Sequence, residues 1–204
     1  MKKSLLAFMS VLLFTLALLA GCAAGGAPVT SPATSDALPS APATSPATSD
    51  ASPGVLRISP SGGGSYGASI TPAPGWEASE DPGGVTYTYA DQDKAPGAMI
   101  QLAADTLPAS GASSLDGYVT AAQNKLAMYI ESAQFDPATH VTVAGADAVK
   151  LTFLAMGSVP YQYEIIYILE GETVYSVTCL APMADFDDLA GDFQSMIDSF
   201  TAVS

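Results

Sequence analysis

The segment from Ala146 to Leu180 reads ADAVKLTFLAM (146–156), GSVP (157–160), YQYEIIYILE (161–170), GE (171–172) and TVYSVTCL (173–180). Its β-branched and aromatic residues alternate with polar ones at period two, the spacing of side chains on opposite faces of a strand. The breaks are short: Ala144-Gly145 before the first run, Gly157-Ser158 after it and Gly171 before the last. Links that short join antiparallel neighbours, so four strands, His140 to Val143, Ala146 to Met156, Tyr161 to Glu170 and Thr173 to Leu180, form a meander. In the third strand, alternation puts Tyr161, Tyr163, Ile165 and Tyr167 on one face. Gln162, Glu164, Ile166 and Ile168 lie on the other.

Upstream, Tyr66 to Thr71, Val85 to Ala90 and Ala98 to Thr106 also read as strands, with Val85, Tyr87 and Tyr89 alternating with Thr86 and Thr88. A helix follows from Ser113, whose spacing to Asp116 makes a capping box, with Leu115, Tyr118, Val119, Ala122, Leu126, Tyr129 and Ile130 on one stripe. A second helix begins near Asp185, with an acid three residues on at Asp188, and aligns Phe186, Leu189, Phe193, Met196, Ile197 and Phe200. One apolar stripe per helix means that each packs on a sheet face. The expected fold is α+β: an antiparallel sheet of about six to seven strands packed by two main helices, over residues 65–204.

The rest of the chain differs sharply. The only Trp, all nine Tyr and five of the seven Phe lie beyond Ser65, so the core belongs there. From Ala23 to about Gly64 the chain is Ala, Ser, Thr, Pro and Gly, and Ser31-Pro32-Ala33-Thr34-Ser35-Asp36 recurs as Ser45-Pro46-Ala47-Thr48-Ser49-Asp50. That duplication is low-complexity, too short and polar for a folded repeat. Seven of the fifteen prolines fall here, which makes residues 22–64 an extended, disordered tether; fully extended it reaches on the order of 120 Å at about 3.1 Å per residue. Gly62-Gly63-Gly64 is no phosphate cradle, since neither Lys-Ser/Thr nor a helix start follows.

Met1-Lys2-Lys3, the apolar run Leu5 to Leu19 and the small residues after it have the layout of a secretory signal over residues 1–21, too short to span a membrane comfortably. Leu19-Ala20-Gly21-Cys22 resembles the bacterial lipobox. Leu19, Ala20 and Gly21 would be read by the lipoprotein signal peptidase, and the Cys22 thiol would carry diacylglycerol as the first mature residue. Two acyl chains give the stable attachment that a single one does not. The expected location is the outer face of the cell membrane, or the outer membrane in a diderm host.

Charge narrows the partners. The whole chain carries -14, and beyond Gly21 four bases stand against 20 acids, or -16. Nucleic acid is excluded as a partner, because its binding depends on Lys and Arg displacing phosphate counterions. A basic patch docking on anionic lipid is excluded likewise.

The head domain resembles the PsbP-like superfamily, the Mog-type α/β/α sandwich that includes PsbP, DcrB and lipoproteins of the LpqN type. The resemblance rests on Pro74-Gly75-Trp76, on the Ser-Leu-Asp-Gly-Tyr opening of the first helix at 114–118, and on Val143-Ala144-Gly145-Ala146-Asp147-Ala148. The Tyr-rich hairpin from Tyr161 to Tyr175 and Phe186 through Ser199-Phe200 complete it. It implies that fold and a non-enzymatic accessory or binding role, with no active site and no cofactor to carry over.

The residues themselves give few leads to catalysis. His140 is the single histidine and stands at a strand start with no Gly-x-Ser-x-Gly elbow, a surface position. Cys179 reads as a buried, inert thiol. One His and one free Cys serve zinc poorly. Carboxylates give two alternatives. A hydrolase of envelope polymers would use Glu164 or Asp147, Glu164 being either a half-exposed sheet residue or one polar member of a pocket beneath a helix. A divalent-cation site would use Asp91-Gln92-Asp93, or Asp185, Asp187, Asp188 and Asp192, which also suit a solvated helix N-terminus. The preferred reading is a lipid-anchored module that binds an envelope protein or a small ligand.

Overall fold

The computed structural model describes residues 55–58, 66–81 and 84–203. In chain order the elements are β1 (Val55–Ile58), β2 (Tyr66–Ser69), β3 (Trp76–Asp81), β4 (Gly84–Tyr89) and β5 (Met99–Thr106). A single turn α1 (Leu107–Ser110), helix α2 (Leu115–Tyr129), β6 (Ala133–Phe135), β7 (Thr139–Val143) and β8 (Ala146–Ala155) follow. The chain ends with β9 (Tyr161–Glu170), β10 (Thr173–Pro182), helix α3 (Phe186–Asp198) and β11 (Thr201–Val203).

Eight strands make the main sheet in the order β3-β4-β5-β10-β9-β8-β6, with β7 also on the outer side of β8. Every pairing in it is antiparallel. The meander β7-β8-β9-β10 is present as the alternation predicts. Ala144 and Gly145, the two residues between β7 and β8, both have positive φ (51° and 88°), as a tight hairpin turn matching strand twist requires. Gly84 meets a different demand: a Cβ there would lie 2.1 Å from the Leu102 carbonyl oxygen.

Four strands in the described segments depart from the expected set. β3 is not among the expected strands, because Glu77, Ser79 and Glu80 deprive it of apolar alternation; it is an edge strand on which these three side chains are exposed. β6 and β11 are three residues each, below the length at which a period shows. β1 lies on the tether side of residue 64 and pairs with β2 from Val55↔Ser69 to Ile58↔Tyr66. With β11 these two form a separate three-stranded sheet, β1-β2-β11. Two phenols tie it to the main sheet: Tyr87 Oη donates to the Ile70 carbonyl (3.1 Å) and Tyr175 Oη to that of Gly67 (3.3 Å).

Strand alternation divides the interior into two cores, one on each face. On the first face α3 lays Phe186, Leu189, Phe193, Met196 and Ile197 against Val85, Tyr87, Ile100, Leu102, Val177 and Cys179. On the second, α2 lays Leu115 and Val119 against Val149, Leu151, Phe153, Ile165 and Tyr167. The result is the expected α+β sandwich with one main helix per face.

Both helix starts differ from expectation in detail. The cap of α2 is Ser114, not Ser113: its extended backbone turns Oγ toward the Gly117 N–H, at 3.1 Å. Asp185 does precede α3, but its backbone is already near helical (φ -110°, ψ -8°) and its carboxylate caps nothing. Its carbonyl takes the first helical bond instead, from Leu189 N at 3.3 Å. At the far end of α2, Tyr129 turns out of the apolar stripe and is exposed.

Candidate functional site

Cys22 and the flanking Leu19, Ala20 and Gly21 lie outside the described residues. Among the described residues, the groups able to do chemistry are spread over the domain, and most are engaged in packing or local hydrogen bonds.

Glu164 and Lys150 form an ion pair at 3.5 Å on the α3 face of the sheet. Register explains it: Glu164 lies opposite Thr152 and Lys150 opposite Ile166, so the two are diagonal neighbours on adjacent strands. The Glu164 side chain retains 19% of its exposure, making it a half-buried sheet residue. Asp147 is exposed and odd-numbered on β8, on the face of Val149 and Leu151. Glu164 faces the other way. The position opposite Glu164 is Thr152, five strand positions from Asp147, on the order of 17 Å at about 3.4 Å per residue. Opposite faces and that distance keep the two carboxylates from converging on one bond, so this pair does not form a two-carboxylate hydrolytic site.

Cys179 is fully buried in the α3-side core, beside Glu164 across β9 and β10. Burial pushes its thiol well above the ordinary range, and the Glu164 carboxylate adds to the shift. A thiol held protonated there is a packing group, not a nucleophile. His140 meets Asp116 at 3.2 Å, both largely exposed, which is a surface contact at the start of α2.

The acids considered for a cation do not gather. Asp192 accepts a hydrogen bond from Trp76 Nε1 at 3.0 Å, while Asp187 and Asp188 point to solvent. Asp91 stabilises its own turn, accepting from Lys94 N (3.3 Å) and pairing with Lys94 Nζ (3.2 Å). Among the described residues no three His, Cys, Asp or Glu side chains come together as a metal group.

The tyrosines of β9 pack. Tyr163 stacks on Phe153 with ring centroids 4.5 Å apart, and Tyr167 meets Tyr118 edge-on at 5.6 Å. Burial raises the phenols of Tyr118, Tyr163 and Tyr167; at Tyr118 the Asp105 carboxylate, 3.4 Å from its hydroxyl, adds to the effect. Tyr167 is distinctive: among the described residues its hydroxyl is the one buried side-chain polar atom with no hydrogen-bond partner. The Trp76–Asp192 link, which fastens β3 to α3, is a contact that spacing along the chain does not reveal. Its sequence signal was a sole tryptophan directly after Pro74-Gly75.

A sheet covered by one main helix on each face, with Glu164 paired to Lys150, Cys179 buried and Asp147 on the face opposite Glu164, defines an α/β/α sandwich in which that carboxylate pair is not assembled. No protein-family model matches the chain, and no curated protein matches it in sequence. Solved structures do. The cyanobacterial PsbP, CyanoP, of Synechocystis sp. PCC 6803 superposes with a TM-score of 0.51 at 11% identity, over 78% of this chain and 98% of that one. LpqN, a protein involved in cell envelope biogenesis of Mycobacterium tuberculosis, does so with a TM-score of 0.50 at 12% identity, over 67% of this chain and 83% of that one. The domain therefore has the PsbP-like, LpqN-like fold.

Proposed function

We propose that this chain is a lipid-anchored extracytoplasmic protein whose PsbP-like domain serves the cell envelope as a non-enzymatic binding or accessory module. The observation that carries the reading is Leu19-Ala20-Gly21-Cys22, at the end of an apolar run and directly before a Pro-rich tether. A diacylated Cys22 would hold the protein at the membrane, and the tether would let the domain stand clear of the lipid heads. Among the described residues no helix is long and apolar enough to cross a membrane. The involvement of LpqN in cell envelope biogenesis supports the same setting.

Phase separation in detergent and protease treatment of intact cells test the proposal together. The expected result is that the wild-type protein enters the detergent phase and its head domain is cut from outside. Cys22→Ser should move it to the aqueous phase or leave it as unprocessed precursor. Mature Cys22→Ser protein still in the detergent phase, or a head domain protected in intact cells of a single-membrane host, would overturn it.

A further inference from the structure

One end of the sandwich carries exposed large apolar side chains that the fold does not use. Met156 (42% exposed) and Val159 (45%) lie in the β8–β9 connection, and Met183 (45%) follows β10. Backbone bonds bring them together with the end of α2. Met183 N donates to the Pro160 carbonyl at 2.9 Å, and Met156 N to that of Ser132 at 3.5 Å; Ser132 Oγ in turn donates to the Met156 carbonyl. Three residues before Glu131, Met128 is 80% exposed. Methionine is the side chain best able to adapt its shape to a partner.

The border of this patch is acidic. Glu131 follows α2, Asp185 and Asp187 open α3 beside Met183, and Asp93 lies in the loop held to β9 by the bond from Tyr161 Oη to the Pro96 carbonyl (3.1 Å). The C-terminus of α2 and the N-terminus of α3 lie at this same end, so their dipole potentials oppose each other and the negative charge of the border rests on its carboxylates. The lysines of this end are Lys94, paired with Asp91, and Lys125, one turn before Tyr129.

We propose that this end docks a cationic amphipathic segment of a partner protein, its apolar face on Met156, Val159 and Met183 and its Lys or Arg side chains toward Glu131, Asp185 and Asp187. Charge selects this occupant. An anionic lipid surface would be repelled by the border, and a second copy would set acid against acid. The inference rests on the binding-module reading above, but its test involves neither export nor Cys22, so the two fail separately.

The test is fluorescence anisotropy with the full chain in non-ionic detergent, micelles alone as blank, and a labelled Leu/Lys amphipathic helical peptide as probe. Met156→Ser/Met183→Ser should weaken binding at least tenfold, and Glu131→Lys/Asp187→Lys by a similar factor. Glu170→Lys/Glu172→Lys, the same charge change at the opposite end of the sheet, should leave it within twofold. A Leu/Glu peptide should not bind. Circular dichroism melts would establish that each variant is folded. Binding unaffected by the Met156/Met183 pair, or weakened equally by the Glu170/Glu172 pair, would overturn the proposal. So would association with phosphatidylglycerol vesicles, or a concentration-dependent dimer, that the Met156/Met183 pair abolishes.

Discussion

Two buried phenols, chemically identical and differently partnered, should respond to the same substitution with opposite sign. The Tyr167 side chain is buried between the sheet and α2 and its hydroxyl has no partner among the described residues. An unsatisfied buried hydroxyl costs about 1–3 kcal/mol. Tyr167→Phe removes that cost and keeps the edge contact with the Tyr118 ring. The void left by one oxygen, about 12 Å³, takes back about 0.3 kcal/mol. Net stabilisation of about 1 kcal/mol should result, raising Tm by roughly 4 °C for a domain of this size. Tyr87 donates to the Ile70 carbonyl across the two sheets at 3.1 Å, so Tyr87→Phe should instead lose about 1 kcal/mol and lower Tm by roughly as much. Paired urea titrations and calorimetric melts would measure both. If Tyr167→Phe destabilises the domain as Tyr87→Phe does, the Tyr167 hydroxyl has a bonded partner, such as an ordered water, and the reasoning fails.

Trp76→Phe removes the indole N–H held by the Asp192 carboxylate at 3.0 Å; a hydrogen bond to a charged group contributes about 1.5–3 kcal/mol, so a loss of roughly 2 kcal/mol is expected by far-UV circular dichroism in denaturant. Burial raises the phenols of Tyr87, Tyr118, Tyr161, Tyr163 and Tyr167 above the ordinary value of 10.0. The folded state then keeps protons that the unfolded state releases, so this contribution to stability is intact below pH 10 and is lost as pH rises beyond it. Absorbance at 295 nm should show these phenols ionising together with unfolding. Cys179, fully buried with its thiol shifted upward, should resist thiol reagents at pH 8 and react only at the rate of unfolding; rapid labelling of native protein would contradict the packing described for β10.

The sequence reports the sheet's centre better than its margins. In β8 to β10 the apolar alternation is long enough to name both faces of each strand, and the glycine breaks fix the hairpins. β3 escapes that logic because an edge strand with one solvated face tolerates Glu77, Ser79 and Glu80. Tyr129 fits the apolar stripe of α2 by period but lies past the turn that the sheet covers. The separation of Asp147 from Glu164 depends on the register of β8 against β9, which spacing along the chain does not determine. The engagement of Asp192 by Trp76 likewise requires knowing that α3 crosses the face on which β3 lies. The exposed methionines could not be told from core methionines by composition, since Met196 is buried and Met183 is not.

Anchoring of the module through Cys22 is checked by the intact mass of the mature protein extracted from membranes. The predicted mass is that of residues 22–204 plus a diacylglyceryl group, with any further N-terminal acyl chain. A mature chain beginning after Cys22, or one beginning at an unmodified Cys22, would contradict it.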